Sequence, residues 1–336
     1  MVYGVDQHLW KSIFVKSNRF LDETQQLVLQ GINPGGIYQA IWCRDASYII
    51  RDWFLSGNIN GVMQQIFLIW SHQIEAKKEE KLIYGRGSPE MKFSPEAANE
   101  DQKKGFEGAL PTTIYQAGFL EVYGKEPDID STALMISTTS WILNKILEKR
   151  REQRYPRPEH SRRQSVIASE NSSDYVSALL SKLGITDPLQ VTDYVVPRML
   201  KAINHLITRD IDNDGLLEQS HNEDWMDTIL RAGKIVYSQA CWLLALSDLA
   251  ALLSQLKEES NVNTLMNLAE RTIHRVENES WSEESGSYVG TGHTVGLQPR
   301  ALTQDVSLYL VAISHEHSVI NIMKEATNGP KVDHDS

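Results

Sequence analysis

The segment 222–227 (Asn-Glu-Asp-Trp-Met-Asp) places the carboxylates of Glu223, Asp224 and Asp227 around the indole of Trp225. Carboxylates can transfer protons and hold hydroxyl groups, and an indole face can stack on a pyranose ring. This mixture of residue types predicts a sugar site. The alternative is a helix N-terminus, where acidic side chains complement the helix dipole and cap free N–H groups.

The segment 41–46 (Ile-Trp-Cys-Arg-Asp-Ala) follows a glycine-rich turn at residues 33–36 and precedes an apolar helical pattern. Trp42, Arg44 and Asp45 therefore stand at a predicted helix start. An Arg–Asp pair beside an indole can bind a polyol through several directional hydrogen bonds. The alternative is a surface ion pair that contributes little to stability. Both segments place a tryptophan next to an acid where a loop meets a helix.

Apolar residues recur at helical spacing along most of the chain, and no run alternates convincingly between apolar and polar residues. This pattern predicts an all-α protein without a sheet, whose helices are paired and joined by loops. The predicted helices span residues 8–30, 45–56, 60–76, 111–123, 130–150, 192–208, 234–257, 261–278 and 300–314.

Two segments interrupt the helical pattern. Residues 84–108 are rich in Gly, Pro, Asn and charge, and they are predicted to form a long irregular loop. Residues 150–173 are basic and polar with almost nothing to bury, which predicts a mobile insertion or linker. A linker here would separate two domains. We instead predict a single domain over residues 1–336, because related sequence motifs, among them 128–134 and 212–216, lie on both sides of this segment.

Composition limits the classes of partner. The 336 residues are 41% hydrophobic, which is enough for a sizeable core. The net charge of −11 and the pI of about 5.4 argue against nucleic acid and anionic membranes. We identify no signal peptide and no membrane-spanning run. Cys43 and Cys241 form no close metal-type pair, so a reduced, cytoplasmic protein without a cofactor is predicted.

The segment 210–215 (Asp-Ile-Asp-Asn-Asp-Gly) has the alternating acids and glycine of an EF-hand start. Position twelve of such a loop should be glutamate, but here it is His221. A turn rich in Asp, Asn and Gly between two helices explains the same residues without an ion. We therefore predict no metal site, and calcium at this turn stays open as the alternative.

Several motifs together resemble those of the (α/α)6-barrel glycoside hydrolases. The resemblance is greatest to the amylo-α-1,6-glucosidase domain of glycogen-debranching enzymes and its glucoamylase-like relatives. It covers roughly residues 10–315 and implies an (α/α)6 toroid. The matching segments, in order, are 42–45 (Trp-Cys-Arg-Asp), 128–134 (Asp-Ile-Asp-Ser-Thr-Ala-Leu), 212–216 (Asp-Asn-Asp-Gly-Leu), 225–227 (Trp-Met-Asp), 233–237 (Gly-Lys-Ile-Val-Tyr) and 303–307 (Thr-Gln-Asp-Val-Ser).

The resemblance implies a sugar-binding role for most of these residues. Arg44 and Asp45 would hold glucose hydroxyls in the innermost subsite, with Trp42 and Trp225 as apolar walls. Asp130 would lie at the pocket rim, although a cap of the following helix explains it equally well.

Catalysis is assigned by the same resemblance. Asp227 matches the general acid of the family, and Glu223 joins it as a catalytic candidate. Glu223 and Asp224 would raise the pKa of Asp227 by like-charge repulsion. Lys234 would bind a hydroxyl group, or else is an ordinary exposed lysine.

An inverting glycosidase also needs a catalytic base about 6.5–9.5 Å from the acid. The resemblance places that base in the last helical hairpin. The sequence after Ser314 is polar, and its late glutamates, Glu316 and Glu325, lack an aromatic context. We therefore predict a toroid that is incomplete at its C-terminus and lacks the base.

These observations predict a glycoside hydrolase that acts on α-glucosides or α-glucans, with an oligosaccharide or polysaccharide as substrate. A trehalase or a disaccharide phosphorylase on the same barrel is an alternative enzyme. A non-catalytic helical scaffold or carbohydrate-binding protein is an alternative of another class. A terpene-cyclase-like barrel is a further one, which prenyl diphosphate binding would distinguish. The oligomeric state stays open.

Overall fold

The computed structural model describes residues 40–86, 96–115, 118–154, 188–226, 231–284, 286–289 and 307–315. The predicted helix 8–30, residues 155–173 of the predicted insertion and Asp227 lie outside the described residues. The start of the predicted insertion is described and continues a helix. There Arg151 donates a hydrogen bond to the carbonyl oxygen of Gln255 at 3.1 Å.

The described part of the chain is mostly helical, as predicted. Six predicted helices coincide with observed ones, namely 45–56, 60–76, 130–150, 192–208, 234–257 and 261–278. The helix predicted over 300–314 is described from residue 307 onward. The helices are α1 (Cys43–Leu55), α2 (Ile59–Ser71), α3 (Glu100–Gly105), α4 (Ile129–Arg154), α5 (Pro188–Ile207), α6 (Val236–Gln255), α7 (Glu259–Glu279) and α8 (307–315).

Local chemistry sets the boundaries of these helices. Helix α1 ends just before Gly57, which has a φ of +87°. Glycine adopts this conformation readily, whereas a residue with a Cβ would be strained there. The side chain of Asn58 then caps α2 by accepting a hydrogen bond from the Gly61 amide at 3.1 Å. At the start of α3, Asn99 and Gln102 form a reciprocal capping box.

The prediction that the chain contains no sheet is wrong. The described strands are β1 (Ile41–Trp42), β2 (Lys81–Tyr84), β3 (Glu96–Ala97), β4 (Thr113–Tyr115), β5 (Phe119–Val122), β6 (Trp281–Ser282) and β7 (Ser287–Tyr288). The first five form one sheet in the order β1-β4-β5-β2-β3, in which β2 and β5 are parallel and the other pairs are antiparallel. A separate hairpin joins β6 to β7.

The helix predicted over 111–123 is therefore wrong, because β4 and β5 form a hairpin there. Both strands are rich in β-branched and aromatic residues, which favour a pleated surface over a helix. Gly118 lies in the connection with a φ of +82°, a conformation that glycine adopts at little cost. The loop predicted over 84–108 is also partly regular, since it contains β3 and α3.

Helix α6 forms the centre of the core. Almost every side chain along it is buried, and α4 and α7 pack against it. Helix α6 is long and apolar enough to cross a membrane, but 94% of its apolar 18-residue stretch is buried inside the structure. Cys241 of this helix and Cys43 of α1 are both buried and free.

The first turns of α1, α4 and α6 meet in the interior. Arg44 of α1 donates a hydrogen bond to Asp130 of α4 at 3.2 Å, and Tyr237 of α6 donates to the same carboxylate oxygen at 3.1 Å. Each of these residues is the second residue of its helix. Three helix starts therefore converge on one buried carboxylate.

The same helices meet again two to three turns further along. Arg51 of α1 donates a hydrogen bond to Ser137 of α4 at 2.7 Å and approaches Asp248 of α6 at 3.4 Å. His315 of α8 also contacts Asp248, at 2.7 Å. Because later residues of α1, α4 and α6 meet in the same order as the first residues, these three helices run parallel.

Candidate functional site

A cavity of about 680 Å³ opens where these helix starts meet. Its size is within the range of small-molecule sites. The earlier described residues of α8 line the cavity, and His315, later in the helix, contacts Asp248 further along α6. Helix α8 therefore runs in the same direction as α1, α4 and α6. The described residues that line the cavity are Arg44, Asp45, Tyr48, Trp225, Tyr237, Ser307, Leu308 and Val311.

Three of the predicted site residues therefore lie together. Arg44 and Asp45 are adjacent and Trp225 lies 180 residues further along the sequence, yet all three line the cavity. The guanidinium of Arg44 also approaches the carboxylate of Asp45 at 3.8 Å, and the Asp45 side chain is 39% exposed. This arrangement provides donors and acceptors at one end of the cavity and an aromatic ring beside them.

Arg44 is charged and firmly positioned. Burial lowers the pKa of its guanidinium, but Asp130 and Asp128 raise it more strongly, so the pKa lies above its ordinary value. A guanidinium that is held by a buried carboxylate has few alternative rotamers. Its remaining N–H groups can point at ligand oxygens without losing much conformational entropy on binding.

Asp130 lies in the interior beside Arg44 and Tyr237, and not at the rim of the cavity. Its side chain is fully buried, so it touches no ligand directly and instead positions Arg44 and Tyr237. Burial raises its pKa, while the charge of Arg44 opposes that change. Next to it, Asp128 accepts hydrogen bonds from Thr112 at 2.9 Å and from Ser131 at 3.2 Å.

Trp225 and Tyr237 form the aromatic side of the cavity. Their ring centroids are 6.2 Å apart with an interplanar angle of 65°, an edge-to-face arrangement that aromatic pairs favour. The guanidinium of Arg231 lies 5.8 Å from the centroid of Trp225. Trp42, which was predicted as a second wall, is not among the described cavity-lining residues. It lies against Tyr123 with ring centroids 6.3 Å apart.

Glu223 occupies a structural position in the loop before α6. One of its oxygens accepts from the Glu126 amide at 3.1 Å, and the other accepts from the Ser220 amide at 2.7 Å and from Arg209 at 2.6 Å. Its side chain is fully buried, and burial raises its pKa, which the charge of Arg209 opposes. A carboxylate with both oxygens engaged inside the protein does not support the predicted catalytic role.

Asp224 is held in a similar way. Its carboxylate accepts a hydrogen bond from Gln219 at 2.7 Å and from the Met226 amide at 2.9 Å, and it pairs with Arg231 at 2.7 Å. This side chain is buried and is not among the described cavity-lining residues. Its contacts hold the loop that carries Trp225, so Asp224 helps to position one side of the cavity.

Lys234 faces the acidic turn and not the cavity. Its ammonium lies 2.7 Å from Asp212, 2.5 Å from Asp214 and 3.7 Å from Glu218. The adjacent Gly233 bridges to Gln219. Lys234 thus ties the end of the loop 219–233 to the turn.

The acidic turn at 210–215 is neutralised by cations of the protein. Asp210 pairs with Arg271 at 3.0 Å, and Asp214 pairs with both Lys234 and Arg275. The Asp210 carboxylate also accepts hydrogen bonds from the amides of Asp214 and Gly215. Asp210, Asp212 and Glu218 also bring carboxylate oxygens within 4.8 Å of one another, so calcium at this turn stays open as the alternative beside these ion pairs.

Sequence reasoning missed five cavity-lining residues. Tyr48 follows Arg44 by one helical turn, so its position was accessible from the sequence once α1 was placed. Tyr237 and Ser307 were noted only as parts of motifs. Leu308 and Val311 reach the cavity through the packing of α8 against the other helices, for which no local signal exists.

Comparisons with known proteins do not assign the chain to a family. No protein-family model matches it, and no curated protein matches it.

Proposed function

We propose that the protein is a glycoside hydrolase that acts on α-glucosides or α-glucans. The observation that carries this proposal is the convergence of Arg44, Asp45 and Trp225 on one cavity. Charged groups at one end can hold hydroxyls, and the indole can cover the C–H face of a pyranose. The first turns of α1 and α6 also line the cavity, and the positive ends of their helix dipoles favour ligand oxygens.

The proposed architecture is an (α/α)6 toroid. In such a toroid the inner helices run parallel, and each is paired with an outer helix that returns the chain. The parallel arrangement of α1, α4, α6 and α8 supports an inner ring. Helices α2, α5 and α7 would be outer helices, which agrees with the packing of α2 on α1 and of α7 on α6.

In the proposed mechanism Arg44 and Asp45 orient the glucosyl unit and Asp227 protonates the leaving oxygen, while a second carboxylate, supplied by residues outside the described cavity lining, would take a proton from the water that attacks the opposite face. The assignment of Asp227 rests on its sequence motif. Asp130 would keep Arg44 in place, and Trp225 would exclude water from one face of the sugar. The buried, free cysteines agree with a reducing, cytoplasmic setting.

A non-catalytic carbohydrate-binding protein is the second candidate. One observation favours it: Asp45 is the single carboxylate among the described residues that line the cavity, whereas glycoside hydrolysis uses two. A disaccharide phosphorylase receives no comparable support. Arg231 and Lys234, the cations nearest the Trp-Met-Asp motif, both form ion pairs with carboxylates.

Titration calorimetry of the full chain with methyl α-glucoside and maltose tests sugar binding. Asp45→Asn should weaken binding about tenfold or more, because it removes a charged acceptor of ligand hydroxyls. The matched control is Asp52→Asn, in the same helix but away from the cavity. Absence of sugar binding by the wild-type chain, or equal affinities for the two variants, would contradict the proposed site. Release of glucose from maltooligosaccharides separates the hydrolase from the binding protein.

A further inference from the structure

The outer wall of the cavity is apolar and belongs to two helices. Tyr48 of α1 is 52% exposed, and Val311 of α8 is 57% exposed. Leu308 of α8 lies beside them and also lines the cavity. Single exposed apolar residues are common, but a contiguous apolar patch that lines a cavity is typical of a ligand-binding surface.

Helix α8 is held in a defined register, so this wall is a fixed surface. Tyr309 is fully buried and donates a hydrogen bond to Glu277 at 2.9 Å. At the other end of the helix His315 contacts Asp248 at 2.7 Å. Leu308 and Val311 are three positions apart and therefore share the face that the two contacts leave toward the cavity.

We propose that the cavity binds glycosides whose aglycone is apolar, with the sugar at Arg44 and Asp45 and an aryl or alkyl group against Tyr48, Leu308 and Val311. This proposal rests on the proposed function and adds the chemical class of the group attached to the sugar. The cavity volume of about 680 Å³ is sufficient for a ligand of that size.

The polarity of the wall favours an apolar aglycone over a second sugar unit. A second pyranose would bring several hydroxyl groups, each of which loses affinity if it is buried without a hydrogen-bond partner. On the α8 side of the cavity Ser307 is the single polar side chain among the described lining residues. An aryl or alkyl group needs no such partner, and it gains affinity from the apolar area that it buries.

The test compares the affinities of the full chain for methyl α-glucoside and phenyl α-glucoside by titration calorimetry. The phenyl glycoside should bind about tenfold more tightly, because a buried ring removes apolar surface from water. Leu308→Ser and Val311→Ser should each reduce this ratio severalfold, and Leu310→Ser should leave it unchanged. Leu310→Ser is the matched control, since Leu310 is 54% exposed on the same helix but does not line the cavity.

The outcomes separate this inference from the proposed function. Equal affinities for the two glycosides in the wild-type chain would overturn the aglycone site and leave the sugar site standing. Loss of binding for both glycosides would overturn both. Free phenol serves as a further probe: if it binds as tightly as the phenyl glycoside, the sugar contributes nothing and both proposals fail. The wild-type affinity ratio decides the question even if a serine variant unfolds.

Discussion

Two aspartates near Arg44 have different surroundings and therefore different roles. Asp45 is partly exposed beside the cavity, whereas Asp130 is fully buried and shared by Arg44 and Tyr237. Glu223 and Asp224 are likewise buried and engaged by protein donors. At the scale of single residues, burial thus separates groups that can contact a ligand from those that position them.

Glu223→Gln tests whether this residue is structural. The side-chain amide nitrogen of the new glutamine would face Arg209 and the Ser220 amide, both of which are donors. The buried guanidinium of Arg209 would also lose its charged partner. The free energy of unfolding should fall by about 3 kcal/mol, as measured by urea denaturation. Glu107→Gln, which breaks a surface pair with Lys201 at 2.8 Å, should cost less than about 1 kcal/mol. Wild-type stability of Glu223→Gln would contradict the structural role.

The sequence indicated the residue types of the site but not the direction in which each side chain points. Arg44, Asp45 and Trp225 were predicted because a charged pair or an acid stands next to an indole, which is a local signal. Lys234 has an equally suggestive position in the sequence, yet it pairs with the turn at Asp212 and Asp214. Long-range packing decides such cases, and adjacent positions in the sequence do not encode it.

At the scale of elements, long apolar periodicity predicted the helices well, and short strands were missed. Strands β1 and β3 have two residues each, too few for any alternation to be visible. The hairpin of β4 and β5 could have been inferred from its β-branched residues and from Gly118 between them. Helical spacing across 111–123 was given too much weight there.

Gly118→Ala tests how much this hairpin depends on its connection. The φ of +82° strains any residue with a Cβ, although the added methyl group would meet nothing within 4 Å. Unfolding by urea should show a loss of about 1 kcal/mol. Gly105→Ala is the matched control, because its added methyl also meets nothing within 4 Å and its φ is not positive. Equal effects of the two changes would refute a conformational cause.

The contact of α8 with α6 should depend on pH. The hydrogen bond to Asp248 raises the pKa of His315, while burial, Arg51 and Lys145 oppose it. A histidine whose pKa is raised by folding stabilises the protein fully below its unfolded value of about 6.5. This stabilisation is lost as the pH rises through the higher folded pKa.

His315→Gln should therefore cost about 1 kcal/mol at about pH 5.5 and less at about pH 8.5. Urea unfolding of both proteins at the two pH values measures the difference. His274→Gln, on the exposed side of α7, is the control for a general effect of removing a histidine. A cost for His315→Gln that is the same at both pH values would show that the charge of His315 plays no part.

At the scale of the whole molecule, the site exists because parallel helices start on the same side. Helices α1, α6 and α8 come from separated parts of the chain and line one cavity, and Asp130 in the first turn of α4 holds Arg44. No local pattern specifies this arrangement. It follows from the packing of helices around a common core, in which the loop before α6 carries Trp225.

The proposed hydrolysis would depend most on this assembly, because it requires an acid aligned with a sugar that residues of other helices hold. Asp227→Asn removes a proton donor and preserves shape. We expect kcat to fall by about 10²–10⁴-fold on maltooligosaccharides, whose leaving group needs a proton. The loss should be much smaller on 4-nitrophenyl α-glucoside, because its leaving group departs with little protonation. Asp193→Asn, an exposed carboxylate on α5, should leave both rates unchanged. Equal losses on the two substrates would show that Asp227 contributes to binding or structure and not as an acid.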